Sequence, residues 1–246
     1  VYLCVSVCLC CHVVHVYMSE CAAICAVRAA RPWCDIVHHS SIIAHTHAPV
    51  HTLCSGRMLV ATMPVGSVEA FSVAVCSCSN YPQGYFNAYK DIAEADVDLV
   101  MHLGDYIYEY AQGVYANPYV VDSLGRAVVP EHEILALEDY RQRYGLYRTD
   151  VDLQTAHGAH PWICVWDDHE LANNTWRDGA ENHNEDEGDF YVRMQMARKA
   201  YHEWMPIRTP AQTDQGPIYR SFQVGDLADI IMLDTRLVGR DEQLDY

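Results

Sequence analysis

The chain has 246 residues, enough for one domain with a sizeable core or two small ones. Sixteen Lys and Arg against 33 Asp and Glu leave a net charge of −17. That balance excludes a partner held by diffuse positive charge, such as nucleic acid or an acidic membrane surface.

Residues 1–65 hold only two acids, Glu20 and Asp35, yet Cys4, Cys8, Cys10, Cys11, Cys21, Cys25, Cys34 and Cys54 crowd this stretch together with seven histidines. The bias reads as two joined sequences, with residues 1–60 separate from a domain at 61–246. Residues 1–19 carry no charged side chain and are similar to a signal-peptide core or a marginal membrane span. The chain opens on Val1, so the native start is expected elsewhere, with Met58 and Met63 as candidates. A zinc module and a set of secreted disulfides are open readings of residues 1–60, but no Cys-x-x-Cys has a second ligand pair at finger spacing. The expected reading is disorder, or sequence foreign to the native protein.

From about Ala61 the pattern becomes that of an α/β domain. Ala70–Cys76 reads as a strand, and Gly84–Ala95 as a helix with Tyr85, Phe86, Tyr89, Ile92 and Ala93 on one stripe. Asp98–Leu103 is the next strand. Strand, helix and strand within some thirty residues make a βαβ unit, which requires parallel strands. Residues 110–130 have the Gly, Pro, Asn and Tyr content of a long loop. Helices are expected at Leu137–Tyr147 and, after a cap at Thr149, at Asp150–His157. Pro161–Trp166 is a third strand, followed by an acidic loop over 173–189 and a helix over Phe190–Trp204. A hairpin of Ile218–Val224 with Asp229–Leu233 closes the series. There is no internal repeat.

Three strand ends therefore deliver polar groups: Cys78; Gly104 and Asp105 with Tyr108; and Asp167, Asp168 and His169 with Asn173 and Asn174 nearby. In an open α/β sheet ligands bind outside the carboxyl ends of the strands. Asp105 and Tyr108 are three residues apart, so a helical turn after Gly104 would put both oxygens on one side. Each residue has a structural reading of its own: a turn-capping Asp105, a small core Cys78, a packing Tyr108, a hydrogen-bonded core His169. Together they suit metal, because thiolate and phenolate match a ferric ion while carboxylates and amide oxygens match Ca²⁺ or Mg²⁺.

The strings Ser77-Cys78-Ser79-Asn80-Tyr81, Gly84-Tyr85-Phe86-Asn87-Ala88-Tyr89, His102-Leu103-Gly104-Asp105-Tyr106-Ile107-Tyr108-Glu109, Trp166-Asp167-Asp168-His169-Glu170 and Met232-Leu233-Asp234-Thr235-Arg236 occur in this order. In these motifs the chain resembles the alkaline phosphatase D family, a branch of the calcineurin-like metallophosphoesterases, from about Thr62 onward. The resemblance implies an α/β fold, an incomplete calcineurin-like sandwich of βαβ units in a mixed sheet flanked by helices. It implies a phosphoric ester hydrolase of phosphatase or phosphodiesterase type, with one Fe³⁺ and one or two Ca²⁺ ions around a phosphate. By position Cys78 and Tyr108 match iron ligands, and Asp105 matches the carboxylate shared between metals. Asp168 matches a metal and phosphate contact and acts with His169 in catalysis, while His169, Asn173 and Asp167 face the phosphate. Tyr81 and Asp234 match more weakly and are open to structural roles.

The partner so implied is a small phosphoester, without nucleic acid and without a stable membrane span. The implied location is secreted, periplasmic or cell-surface, although no complete signal peptide is readable. Relatives continue past the Leu-Asp-Thr-Arg segment with a histidine-bearing stretch that completes the metal site. Residues 61–246 are accordingly expected to form the first part of a catalytic domain, with an exposed apolar face and its activity left open. The alternative is a noncatalytic metal- or phosphate-binding protein.

Overall fold

The computed structural model describes residues 14–15, 58–205, 207–208 and 217–242. The expectations for residues 1–57 otherwise lie outside the described residues. Its centre is a parallel run of β2 (Val73–Cys76), β3 (Leu99–His102) and β4 (Trp162–Cys164), with the two-residue β1 (Val14–His15) antiparallel at the edge beside β2. Cys76 lies opposite His102, and His102 opposite Cys164. All three strands thus stop at one level, and the loops leaving them emerge along one edge of the sheet.

Burial explains the order. Ala74, Leu99, Val100, Trp162, Ile163 and Cys164 are all buried, so these strands read as apolar runs rather than as alternating ones. Helix α1 (Asn87–Glu94) packs on α4 (Val151–Ala159), burying Tyr89 and Ile92 against the sheet. Of its expected stripe, Phe86, Tyr89 and Ile92 go inward, but Tyr85 precedes the first helical turn and is exposed. Helix α3 (Leu137–Tyr147) packs with α5 (Phe190–Trp204) and inserts three fully buried phenols, Tyr140, Tyr144 and Tyr147.

Two boundaries differ from the sequence reading. The stretch expected to be loop over 110–130 contains α2 (Pro118–Leu124). Its signals are present: Asn117 Oδ1 accepts from Tyr119 N at 3.0 Å, Pro118 takes the first turn, and Gly125 closes the helix at φ +66°. Helix α4 is capped by Asp150 rather than Thr149. Asp150 Oδ1 accepts from the N–H groups of Asp152 and Leu153, and Oδ2 pairs with buried Arg126 at 2.8 Å.

The rest of that long segment is pinned by Arg143, which is fully buried and donates to the carbonyls of Tyr108, Tyr110, Val129, Pro130 and His132. A guanidinium carries five donors in a fixed fork, which suits it to gathering carbonyls. The hairpin of β5 (Arg220–Val224) and β6 (Ala228–Met232) forms as expected, and Arg220 Nη2 docks it to Cys164 O at 2.8 Å. Ile231 and Leu233 are 61% and 60% exposed.

Gly104 sits at the crossing of two strand ends, at φ +107°, and a Cβ there would lie 2.1 Å from Asp167 N and 2.6 Å from Trp166 C. Both neighbours are backbone, so nothing can swing away. Gly104→Ala is expected to destabilise the fold by about 3 kcal/mol or more. In urea titrations of both variants, Gly84→Ala, at extended φ with open space around it, should by contrast be close to neutral.

Candidate metal centre

The pairing of the three strands continues past their ends. Leu103 N reaches Cys76 O at 2.9 Å, Cys78 N reaches Gly104 O at 3.1 Å, Ser79 N reaches Asp105 O at 2.9 Å, and Val165 N reaches His102 O at 3.0 Å. Cys78 and Asp105 therefore stand side by side, with Asp167 closing over Gly104. Among the described residues the non-glycine positions at positive φ are Cys78 (60°), Asp105 (57°) and Asn174 (51°). Left-handed backbone costs roughly 1–2 kcal/mol per residue. All three lie in the loops at this edge, where strain is retained to aim side chains.

Asp105 is the hub. Its Oδ2 accepts from Cys78 Sγ at 3.4 Å and from Tyr108 OH at 3.3 Å, and its Oδ1 from His169 N at 3.4 Å. The expected helical turn after Gly104 is absent, because a bend carries the chain there, but the two oxygens still share one side. Asp105, Asp168 and His169, all buried, each present a ligand atom within 4.8 Å of the others, an arrangement that could hold a metal ion. The remaining chemistry fits a cation. Burial pushes the Asp105 carboxyl up to about 7, opposed by His169 and reinforced by Asp168 and Asp167. Burial likewise pushes the Cys78 thiol up to about 12 and the Tyr108 phenol well above its usual range. A bound cation is what would let such acids ionise together.

Three groups escaped the sequence reading. Glu109 is fully buried and accepts from His169 Nδ1 at 2.7 Å, Asn173 N at 2.6 Å and Asn182 Nδ2 at 2.8 Å. Burial alone would raise its pKa, but His169 and the two amides hold it below the usual carboxylate range. In return, Glu109 overcomes the burial that opposes a charged imidazole and holds His169 at about 9. With Nδ1 committed to Glu109, Nε2 is the nitrogen left to face a substrate. Glu170 accepts from Tyr106 N at 2.6 Å and Asp167 N at 2.9 Å, tying two strand ends together, and burial raises it to about 8. Arg236 joins Asp167 at 2.5 Å to Asp168 at 3.1 Å, and its Nη1 is buried without a hydrogen-bond partner. The signal for Glu109 was legible: a carboxylate directly after Tyr108, inside an otherwise apolar and aromatic run.

The other expected positions divide. Asp168 lies inside the cluster, its Oδ2 accepting from Asn174 N at 2.5 Å. Asp167 stands at the rim, paired with Arg236, and Asn173 is oriented through its backbone by Glu109. Tyr81 packs in the core beneath Arg126, 3.6 Å from ring centre to guanidinium, and Asp234 Oδ1 caps the N–H groups of Arg236, Leu237 and Val238.

Parallel strands that gather thiol, phenol, carboxylate and imidazole at one edge define an α/β protein with a candidate metal centre of mixed donors. The chain belongs to the PhoD-like phosphatase family, whose family model matches residues 73–245. It is 40% identical over 191 residues to alkaline phosphatase D of Bacillus subtilis (strain 168), covering 76% of this chain and 32% of that protein. It also matches a solved structure titled "Structure of PhoD", with a TM-score of 0.62 and 38% identity over 72% of this chain and 34% of the other. The chain thus spans about a third of the length of these relatives.

The folded, metal-free chain holds the His169 proton more tightly than the unfolded chain does, so this contribution to stability is complete below about 6.5 and is lost as pH rises through about 9. Asp105 and Glu170, also raised, act in the same direction at lower pH. Urea titrations are expected to show a loss between pH 6.5 and 9 of which His169 contributes about 3 kcal/mol at most. Glu109→Gln should flatten that part of the curve.

Proposed function

We propose that residues 61–246 carry one side of a metal-dependent phosphoester hydrolase site, of alkaline phosphatase or phosphodiesterase type. The observation that supports this most is the meeting of Cys78, Asp105, Tyr108, Asp168 and His169 at the ends of adjacent parallel strands, in a chain of the PhoD-like family. The printed name of the Bacillus subtilis relative points to the same chemistry.

Cys78 and Tyr108 would hold Fe³⁺, Asp105 would be shared with Ca²⁺, and Asp168 would complete the calcium side, one or two calcium ions in all. This division is what the family resemblance implies, and donor chemistry agrees with it: sulfur and phenol oxygen suit a strongly polarising ferric ion, carboxylate oxygens suit calcium. Such cations supply Lewis-acid polarisation of a phosphoryl oxygen and acidify water near neutral pH. Hydrolysis breaks the ester P–O bond and forms one to a water oxygen, which gives up its proton. His169, kept protonated by Glu109, stands to give the Nε2 proton to the departing alkoxide. Asp168 is aimed by Arg236 and Asn174, and Asp167 pairs with the same Arg236; Asn173 and Asp167 would contact the phosphate or support the residues that do. Among the described residues no helix is long and apolar enough to cross a membrane. The proposed substrate is a small phosphoester, and a secreted, periplasmic or cell-surface setting rests on the family resemblance.

The metal-reconstituted chain is expected to hydrolyse p-nitrophenyl phosphate, and Asp105→Asn to lower kcat/KM by at least about 100-fold together with metal content. Full metal loading without turnover would favour the noncatalytic metal- or phosphate-binding alternative for this chain. Iron-loaded protein should also absorb visible light through phenolate-to-iron charge transfer. A Tyr108→Phe protein that keeps the band would refute the iron assignment.

A further inference from the structure

Four aromatic rings lead from solvent to the site. The His169 imidazole stacks on Tyr108 at 4.2 Å between centroids and leans on Tyr110 at 5.4 Å. Tyr115 contacts both phenols, 5.7 Å from Tyr108 and 5.8 Å from Tyr110, the latter edge to face at 80°. Exposure rises along the series, from 6% at Tyr108 and 9% at His169 to 48% at Tyr115.

An exposed tyrosine ordinarily needs no explanation. Here, however, the backbone beneath the ring is fixed at several points. Asn80 Nδ2 donates to Tyr115 O at 2.8 Å, Asn117 N to Pro82 O at 3.0 Å, and Gln112 N to Glu131 O at 2.7 Å. Asn80 lies two residues from Cys78, so the loop bearing the exposed ring is bonded to a loop bearing a metal ligand. A half-exposed ring on a fixed backbone is a rigid platform, and one set edge to face against a second ring makes a corner in which a planar group can stack on one face and meet an edge.

We infer that Tyr110 and Tyr115 form the leaving-group subsite beside His169, and that the site favours phosphoesters of planar aromatic alcohols over those of small aliphatic ones. This rests on the phosphoester reading above, in which His169 faces the departing oxygen. Tyr115 is a specificity-determining residue here, with no part in the bond that breaks.

Binding of non-hydrolysable phosphonates to the metal-reconstituted chain, followed by calorimetry, tests this without relying on turnover. Phenylphosphonate is expected to bind about fivefold more tightly than ethylphosphonate, the scale of one aromatic pair. Tyr115→Ala and Tyr115→Leu should abolish the difference, Tyr115→Phe should keep it, and ethylphosphonate affinity should change little in any of them. Equal binding of the two phosphonates to the unaltered chain would overturn the inference while leaving the phosphate site intact. So would a preference that survives Tyr115→Ala, or tighter binding of 2-(trimethylammonio)ethylphosphonate than of phenylphosphonate, which would make the corner a cation site. Failure to bind either phosphonate at full metal loading would overturn the phosphoester reading and the inference together.

Discussion

The site depends on the approach of one strand end to another at Gly104. A side chain at this position would have to occupy the space of the Asp167 amide and the Trp166 carbonyl carbon. Because hydrogen is all that fits, the loops after β3 and β4 close to backbone contact, and Asp105 and Asp168 come within ligand distance of one another. On the other side the same loop bonds to the Cys78 loop through Cys78 N and Ser79 N. The positive φ of Cys78 and Asp105 follows from this geometry: with both backbones fixed by pairing, only a left-handed residue turns the side chain toward the shared space.

Bringing strand ends this close concentrates carboxylates, and the structure answers each differently. Glu109 is matched by the His169 charge and two amides and stays ionised. Glu170 accepts two backbone N–H groups but no cation, and burial raises it to about 8. Asp167 and Asp168 share Arg236. Asp105 alone receives only weak donors, a thiol, a phenol and a long backbone contact, and is left near 7. The carboxylate at the centre of the donor set is thus held by weak donors and raised toward neutrality, which is where a cation would compensate it.

What could be read in advance follows from how local each signal is. The strands showed as apolar runs ending in polar residues, and α3 and α5 as long periodic stretches, because burial imposes its pattern on consecutive residues. Helix α2 was hidden by composition: Tyr119, Gly125 and Pro118 make its neighbourhood resemble loop, although Asn117-Pro118 and Gly125 are start and stop signals. Cys78, Asp105 and Asp168 stood out because they terminate strands. Glu109 was visible only as a carboxylate beside Tyr108, and its role, like those of Glu170 and Arg236, comes from partners some sixty residues or more away in the chain, Glu109 to His169 and Arg236 to Asp167, a contact no spacing encodes.

Tyr108 shows how stability and site are joined. Its ring is fixed by His169 and its hydroxyl by Asp105, while its carbonyl is fixed by Arg143 from the opposite side of the loop. Arg143 has no carboxylate partner among its hydrogen bonds and spends its donors on carbonyls of a segment that would otherwise leave polar backbone buried and unpaired. Burial lowers its pKa from the usual guanidinium range, so charge is a cost at this position rather than the reason for it. What the guanidinium supplies is shape. A lysine would bring charge without the fork and could not hold both ends of the loop, Tyr108 and Tyr110 on one side and Val129 to His132 on the other. The phenol is therefore positioned before any cation arrives, and the same anchoring keeps Tyr110 and Tyr115 in register with it.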